Sequence, residues 1–154
     1  MADRQLRHLN RFRVGALKGG EYCLRLEPFT LPEKKIRKMR PGDWIDLGET
    51  LPALEVAREG VRIASAYPTG EGIRLGAFET EPSDPVPPGK RVVLEARLTV
   101  LPAGQMRAGA LIPLSRSVLE RVYLYSAAGN YLAEARLIVH DGGYALRIEE
   151  MPHG

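Results

Sequence analysis

Apolar and polar residues alternate along several short runs of the chain, a pattern typical of strands with one buried face. In the run 92–100 one face is apolar and the other polar: Leu94, Ala96, Leu98 and Val100 against Glu95, Arg97 and Thr99. Further strands are predicted at 23–26, 44–47, 111–114, 119–126, 133–140 and 144–149. A helical turn is expected only at 32–39. The pattern therefore predicts an all-β protein.

Turn residues separate these runs and agree with short strands. The chain has 16 glycines and 12 prolines among 154 residues, more than the usual combined share of about 12%. Asp141-Gly142 predicts a tight hairpin turn. Pro113 falls inside a predicted strand, and because proline has no N–H, that position is expected at an edge or a bulge.

Two stretches of the chain are similar to each other. Residues 39–47 read MRPGDWIDL and residues 106–114 read MRAGALIPL, with an offset of 67. The similarity continues at an offset of 69, where 61–64 aligns with 130–133, and is placed at 71 for 72–75 against 143–146. Shared glycine turns and alternating strands in two unrelated small β domains remain the alternative explanation. Insertions at turns are what a duplicated β unit tolerates.

The duplication predicts an organisation in four parts. An N-terminal extension covers 1–20, the first domain 21–79, a proline-rich linker 80–90 and the second domain 91–151. A domain of about 60 residues buries only about 60% of its unfolded surface and is marginal alone. The two copies are therefore expected to pack on each other.

The charge and the cysteine content bear on the cellular location of the protein and on its disulfides. The formal net charge of +3 is mildly basic and does not identify a partner. Cys23 is the single cysteine, so no internal disulfide can form, and it is expected to be a small buried hydrophobe. The chain has no apolar run long enough to span a membrane and no apolar signal stretch near its start. A cytoplasmic location is therefore expected.

Catalytic chemistry has little support in the sequence. His8, His140 and His153 are not at metal-ligand spacing from one another or from Cys23, and His140 is expected at the surface beside a turn. Residues 115–117 lack the glycines of a nucleophile elbow, and residues 88–90 lack most of a phosphate-binding loop. No catalytic residue, metal or cofactor is predicted, and the protein is not expected to be an enzyme.

The second copy resembles the SpoA domain of the flagellar switch protein FliN and of its type III secretion relatives. The resemblance rests on the run Gly109-Ala110-Leu111-Ile112-Pro113-Leu114, on the turn glycine Gly129, on Ala133-Glu134-Ala135, and on the closing run 141–148. The first copy resembles the same pattern in 41–47 and Gly60, but its closing run 73–78 departs from it. Two such copies in one chain are similar to the C-terminal part of the SctQ proteins, which include YscQ, SpaO and HrcQ.

The resemblance implies an intertwined, intramolecular pair of SpoA-like domains. It also implies a non-enzymatic scaffold of the cytoplasmic sorting platform, or C-ring, at the inner-membrane secretion apparatus. The implied partner is the N-terminal segment of the SctL (FliH-like) stator protein, with SctK-like and further SpoA proteins as other partners and a higher assembly as the outcome. Nucleic acid binding and direct membrane insertion are not expected.

Six apolar residues are predicted to form the partner-binding surface: Trp44, Ile45, Leu47, Leu111, Ile112 and Leu114. Consecutive strand residues point to opposite faces. One member of each pair 44–45 and 111–112 should therefore face the core, and the other should be covered by the partner copy or a ligand. The alternative is that all of them are core. Trp44→Ala is expected to weaken partner binding more than folding.

Residues 34–40 carry five cations within seven positions. One interpretation of this segment is a small basic β-barrel that binds nucleic acid. A flagellar FliN/FliM-like switch protein is a separate alternative, which the family resemblance implies. No aromatic residues for base stacking are interleaved with these cations. A solvated connector before the glycine turn is therefore the favoured interpretation.

Overall fold

The computed structural model of the protein describes residues 3–17, 20–79 and 90–152. The described secondary structure is mostly antiparallel sheet, so the predicted all-β class is confirmed. Residues 80–89 of the predicted linker, and His153, lie outside the described residues.

The strands fall into two halves of the chain. The first half contains β1 (Tyr22–Leu26), β2 (Phe29–Pro32), β3 (Trp44–Gly48), β4 (Leu54–Arg58), β5 (Val61–Pro68) and β6 (Gly72–Phe78). The second half contains β7 (Arg91–Leu101), β8 (Leu111–Pro113), β9 (Arg121–Ser126), β10 (Tyr131–His140) and β11 (Gly143–Glu150). Three helices join them: α1 (Asp3–Gly15), α2 (Glu33–Arg37) and α3 (Arg116–Glu120), with a 3-10 turn at Ala103–Gln105.

The strand order is symmetric: strands in equivalent places of the two halves follow one another from each end of the sheet. It runs β3-β11-β10-β9-β7-β1-β4-β5-β6-β8, and β2 pairs separately with β7. β1 and β7 lie side by side at the centre, each followed outwards by three strands of its own half. The outermost strand on each side comes from the other half. The two halves therefore exchange one strand each.

The exchanged strands are held by equivalent hydrogen bonds. At one end of the sheet the amide of Gly42 donates to the carbonyl of Ile148 (2.7 Å), and the amide of Ile148 donates to Asp43 (2.9 Å). At the other end Gly109 donates to Leu75 (2.8 Å), and Leu75 donates to Ala110 (2.9 Å). Both glycines have positive φ, +93° and +80°, which glycine adopts without steric cost.

The pairing register corrects one alignment made from the sequence. Ile45 faces Leu146 in the β3–β11 pair, and Ile112 faces Ile73 in the β8–β6 pair. Ile73 is thus equivalent to Leu146, an offset of 73 rather than the expected 71. The cause is the β10–β11 hairpin, which is four residues longer than the β5–β6 hairpin, not two.

The main core is one cluster of mostly aliphatic side chains from both halves. Ile45 and Ile112 of the exchanged strands are part of it, and each is almost fully buried. A smaller second cluster lies under α1 on the other side of β7. It contains Val14, Val100, Tyr123 and Tyr125.

Val100 was expected on the same face as Leu98, and this prediction is wrong. The pairing between β1 and β7 shifts register by one residue between Leu24 and Arg25. The resulting bulge turns Val100 into the second cluster, while Leu98 stays in the main core. The side-chain amide of Asn10 in α1 donates to the carbonyl of Leu98 at 2.7 Å.

The predicted helical turn at 32–39 is present as α2, but two further helices were missed. α1 occupies part of the predicted N-terminal extension, where arginine, glutamine and leucine are good helix formers and no proline intervenes. α3 takes the first two positions of the strand expected at 119–126, so β9 begins only at Arg121. Arg116 and Glu120 form an i,i+4 ion pair in this helix.

Candidate functional site

The six predicted partner-binding residues lie on or beside two strands, β3 and β8. Trp44 is 40% exposed and Leu111 55% exposed, whereas their neighbours Ile45 and Ile112 are in the main core. The expected alternation between core and surface is therefore observed. β3 and β8 end the sheet on opposite sides, so Trp44 and Leu111 are separated by the whole width of the strand order.

Leu47 and Leu114 have intermediate burial and pack against the main core. Of the six predicted residues, Leu114 also lines the groove described next.

A groove of about 600 Å³ lies at the junction of the two halves. The first half contributes residues 51–54 and the hairpin 68–72 to its walls. The second half contributes residues 114–120 and the hairpin 137–144. The 67-residue offset relates 49–53 to 116–120, and the two hairpins connect equivalent strand pairs. Each half therefore supplies equivalent segments to one shared groove.

Apolar side chains dominate the groove. Leu51 is 47% exposed and Val139 is 73% exposed, and Leu114, Leu119 and Leu137 add partly buried surface. Exposed aliphatic side chains in a concave site are typical of surfaces that receive apolar side chains of a ligand or protein. The groove is thus suited to binding by shape and apolar contact.

Charges at the rim of the groove pair with one another. Glu120 contacts Arg116 and Arg136, each at 3.5 Å between the nearest nitrogen and oxygen. Such exposed pairs contribute little to stability. Because these charges are paired, the apolar floor of the groove carries no strong electrostatic potential of either sign.

The residues 137–139 were not predicted as part of a site, although the sequence carries a signal. Leu137, Ile138 and Val139 are three consecutive apolar residues in a strand. Strict alternation would have made the middle or the outer pair polar. A consecutive apolar triplet places apolar side chains on both faces of the strand, and all three residues line the groove.

An aromatic pair lies at the end of the sheet that β3 forms. The rings of Trp44 and His140 have centroids 4.2 Å apart. A small pocket of about 220 Å³ beside Trp44 is also lined by Lys35 and Met39. The basic segment 34–40 therefore adjoins β3 and its exposed tryptophan.

Buried charges join the two halves at the centre of the sheet. Arg25 of β1 lies within 2.8 Å of Glu55 on β4 and 2.6 Å of Glu95 on β7. Glu95 also pairs with Arg97. Burial raises the pKa of Glu55 above its ordinary value, and Arg25 opposes the rise.

Burial, rather than a catalytic neighbour, raises the pKa of two further side chains. Cys23 is 3% exposed, as predicted, and desolvation raises the pKa of its thiol to about 12. Desolvation also raises the pKa of Tyr131 to about 12. A thiol with a raised pKa is a poor nucleophile near neutral pH.

Within the ranges that the structure describes, no cluster of three or more histidine, cysteine, aspartate or glutamate side chains could hold a metal ion. None of the helices in those ranges has the length and apolar composition needed to cross a membrane. Comparison of the chain with protein-family models and with curated proteins finds no match.

Proposed function

We propose that the protein is a non-enzymatic scaffold of the SctQ kind, acting in the cytoplasmic sorting platform or C-ring at the inner-membrane secretion apparatus. Its groove receives an N-terminal segment of an SctL-like (FliH-like) stator protein, and SctK-like and further SpoA proteins are the other partners. The observation that carries the proposal is the shared groove, an apolar surface made jointly by both halves.

The exchange of strands supports the assignment of the halves as two SpoA-like domains. An intertwined pair requires each domain to complete the other, and β3 and β8 do this with equivalent hydrogen bonds. The corrected register also aligns Ile73-Arg74-Leu75 with Leu146-Arg147-Ile148. The closing strand of the first half therefore follows the same apolar pattern as that of the second.

The chemistry of the groove favours an amphipathic segment as its occupant. An apolar helix face can be inserted into a groove lined by aliphatic side chains. Leu51 and Val139 are the exposed side chains in opposite halves, so one segment crossing the junction would contact both. A few buried apolar anchors supply most of the binding free energy in such complexes.

The test makes the same substitution, to aspartate, at two exposed aliphatic residues, one inside the groove and one outside it. Val139→Asp puts a charge in the groove, and Leu111→Asp puts one at the edge strand β8. We expect the affinity for an SctL-type N-terminal peptide, measured by calorimetry, to fall at least tenfold for Val139→Asp. We expect Leu111→Asp to change it less than threefold, because Leu111 does not line the groove. Thermal melts of both variants serve as the folding control.

Two results would overturn the proposal. One is an equal loss of peptide affinity in both variants at unchanged melting temperature, which would remove the groove as the site. The other is salt-dependent binding of mixed oligonucleotides by the full chain without any binding of the stator peptide. That second result would favour the basic nucleic-acid-binding alternative.

A further inference from the structure

β3 leaves one edge of the sheet open. In the described parts of the chain, β3 pairs only with β11. The amide of Ile148 donates to Asp43, and Ile45 faces Leu146 in the same register. Hydrogen-bonded and non-bonded positions alternate along an antiparallel pair. The backbone N–H and C=O groups of Trp44 and Asp46 therefore point away from β11, towards the open edge.

The equivalent edge at β8 is blocked. Leu111 and Pro113 occupy the places of Trp44 and Asp46, because Ile112 is equivalent to Ile45. Pro113 has no N–H to offer to another strand. Proline at an outward position is a common protection of edge strands. Of these two sheet ends, only β3 presents its full set of donors.

The charge changes sign between the segment that precedes β3 and β3 itself. Residues 34–40 before it carry five cations. Asp43, Asp46 and Glu49 carry the charges in and beside the strand itself, and all are negative. A strand laid antiparallel to β3 is therefore favoured when it is negative at its C-terminal end and preceded by positive charge. A second copy of β3 has this charge distribution.

We propose that two copies of this chain associate through β3, in antiparallel pairing about a two-fold axis at Ile45. Trp44 of each copy then faces Asp46 of the other, and the two pairs exchange four backbone hydrogen bonds. Glu49 of one copy comes near Arg40 of the other, and no two like charges are directly opposed. The pairing joins two sheets into one and is independent of the groove.

A contact of this size is small, and the association is correspondingly weak. Stable interfaces usually bury about 1,200–2,000 Å², more than one short strand pair provides. An edge contact adds strength when the same chain is held in a larger assembly, through effective concentration. The experiment must therefore reach high protein concentration.

The test uses the full chain and its only tryptophan, Trp44. Sedimentation velocity and tryptophan emission are followed from micromolar to millimolar protein. We expect the mean mass to rise towards that of a dimer, together with a blue shift of the emission, because the second copy covers Trp44. Constant mass and emission over the whole range would refute the proposal.

Substitutions at Asp46 locate the contact. Asp46→Pro copies the residue that β8 carries at the equivalent place, and it removes the outward N–H without removing a bond to β11. We expect dimerisation at least tenfold weaker than in the natural chain, with Asp46→Asn as the control that keeps the N–H. Dimerisation of Asp46→Pro at natural strength would place the contact elsewhere and contradict the proposal.

A charge swap keeps the test decisive if Asp46→Pro fails to fold. Arg40→Glu places like charges near each other in the paired copies and should weaken dimerisation several-fold. Adding Glu49→Arg to the same chain reverses both charges, so dimerisation should recover. Absence of recovery, with both variants folded by circular dichroism, would count against the β3 pairing.

Discussion

Arg25 lies buried between two carboxylates. At the scale of this residue, we predict how the stability of the fold depends on pH. Glu55 has a folded-state pKa above its ordinary value because burial outweighs its attraction to Arg25. The folded state therefore keeps this proton to a higher pH than the unfolded state does. The resulting stabilisation is complete below the ordinary value of 4.5. It is lost as the pH rises through the folded-state pKa.

Urea unfolding at a series of pH values from 4 to 7 checks this prediction. The natural chain should lose stability relative to Glu55→Gln as the pH rises, because glutamine does not titrate. Glu71→Gln in an exposed turn is the control and should follow the natural chain. A natural chain that instead gains stability relative to Glu55→Gln would mean that the attraction of Arg25 dominates.

Single residues were predicted from the sequence where a local rule decides their conformation. Asp141 and Gly142 both have positive φ, as a tight hairpin turn requires. Pro113 lies in the terminal strand β8, as its missing N–H demands. The exposure of Val139 follows no such rule, because it depends on which distant segments form the other walls of the groove.

At the scale of elements, the contact between β6 and β8 depends on a glycine. A Cβ at Gly72 would lie 2.1 Å from the carbonyl oxygen of Ile112, well inside any real contact. Gly72→Ala should therefore push β8 off β6. We expect a loss of stability of about 1–3 kcal/mol, the usual range for overpacking.

Gly70→Ala is the matched control, because it lies in the same hairpin and a Cβ there meets nothing within 4 Å. Hydrogen exchange of the Ile112 amide, which faces Ile73 in β6, and of the Leu114 amide, which donates to the carbonyl of Glu71, should become faster in Gly72→Ala and stay unchanged in Gly70→Ala. Equal protection of β8 in both variants would show that the strand accommodates the extra methyl group.

Most strands were predicted to within one or two residues, whereas β2, β4, α1 and α3 were missed. α3 and the bulge near Leu98 arise from packing against distant parts of the chain rather than from local pattern. α1 was not predicted, although its arginine, glutamine and leucine residues favour a helix. In the structure one face of that helix buries Val14 against the tyrosines of β9.

At the scale of the molecule, strand exchange predicts that the halves stay together without a covalent link. All described strand pairs join residues within 22–78 and 91–150, so a protease site inserted between 84 and 85 leaves each of these pairs intact. After cleavage, both fragments should elute together from size exclusion and separate only in denaturant. Independent elution of the fragments in native buffer would contradict the exchange.

The fold class followed from alternation, because a period of two decides between strand and helix locally. The duplication was visible in the block at 39–47 and 106–114, and the symmetric strand order agrees with it. Which half completes which could not be read from the residues, since an apolar edge strand fits either neighbour. The domain limits at 21–79 and 91–151 stay predictions, as does the family.

The exchange of strands also sets an order of events on the ribosome. The β3–β11 pair cannot form until Leu146, the partner of Ile45, has been synthesised about 100 residues later. This takes about 5–20 s at the usual rates of synthesis. The β6–β8 pair needs only Ile112, the partner of Ile73. During that interval the nascent first half holds β3 without its neighbour, with an isoleucine meant for the core in contact with water. A chain whose synthesis stops before β11 is therefore released with β3 unpaired and its apolar residue exposed, and no later folding step can supply the missing strand.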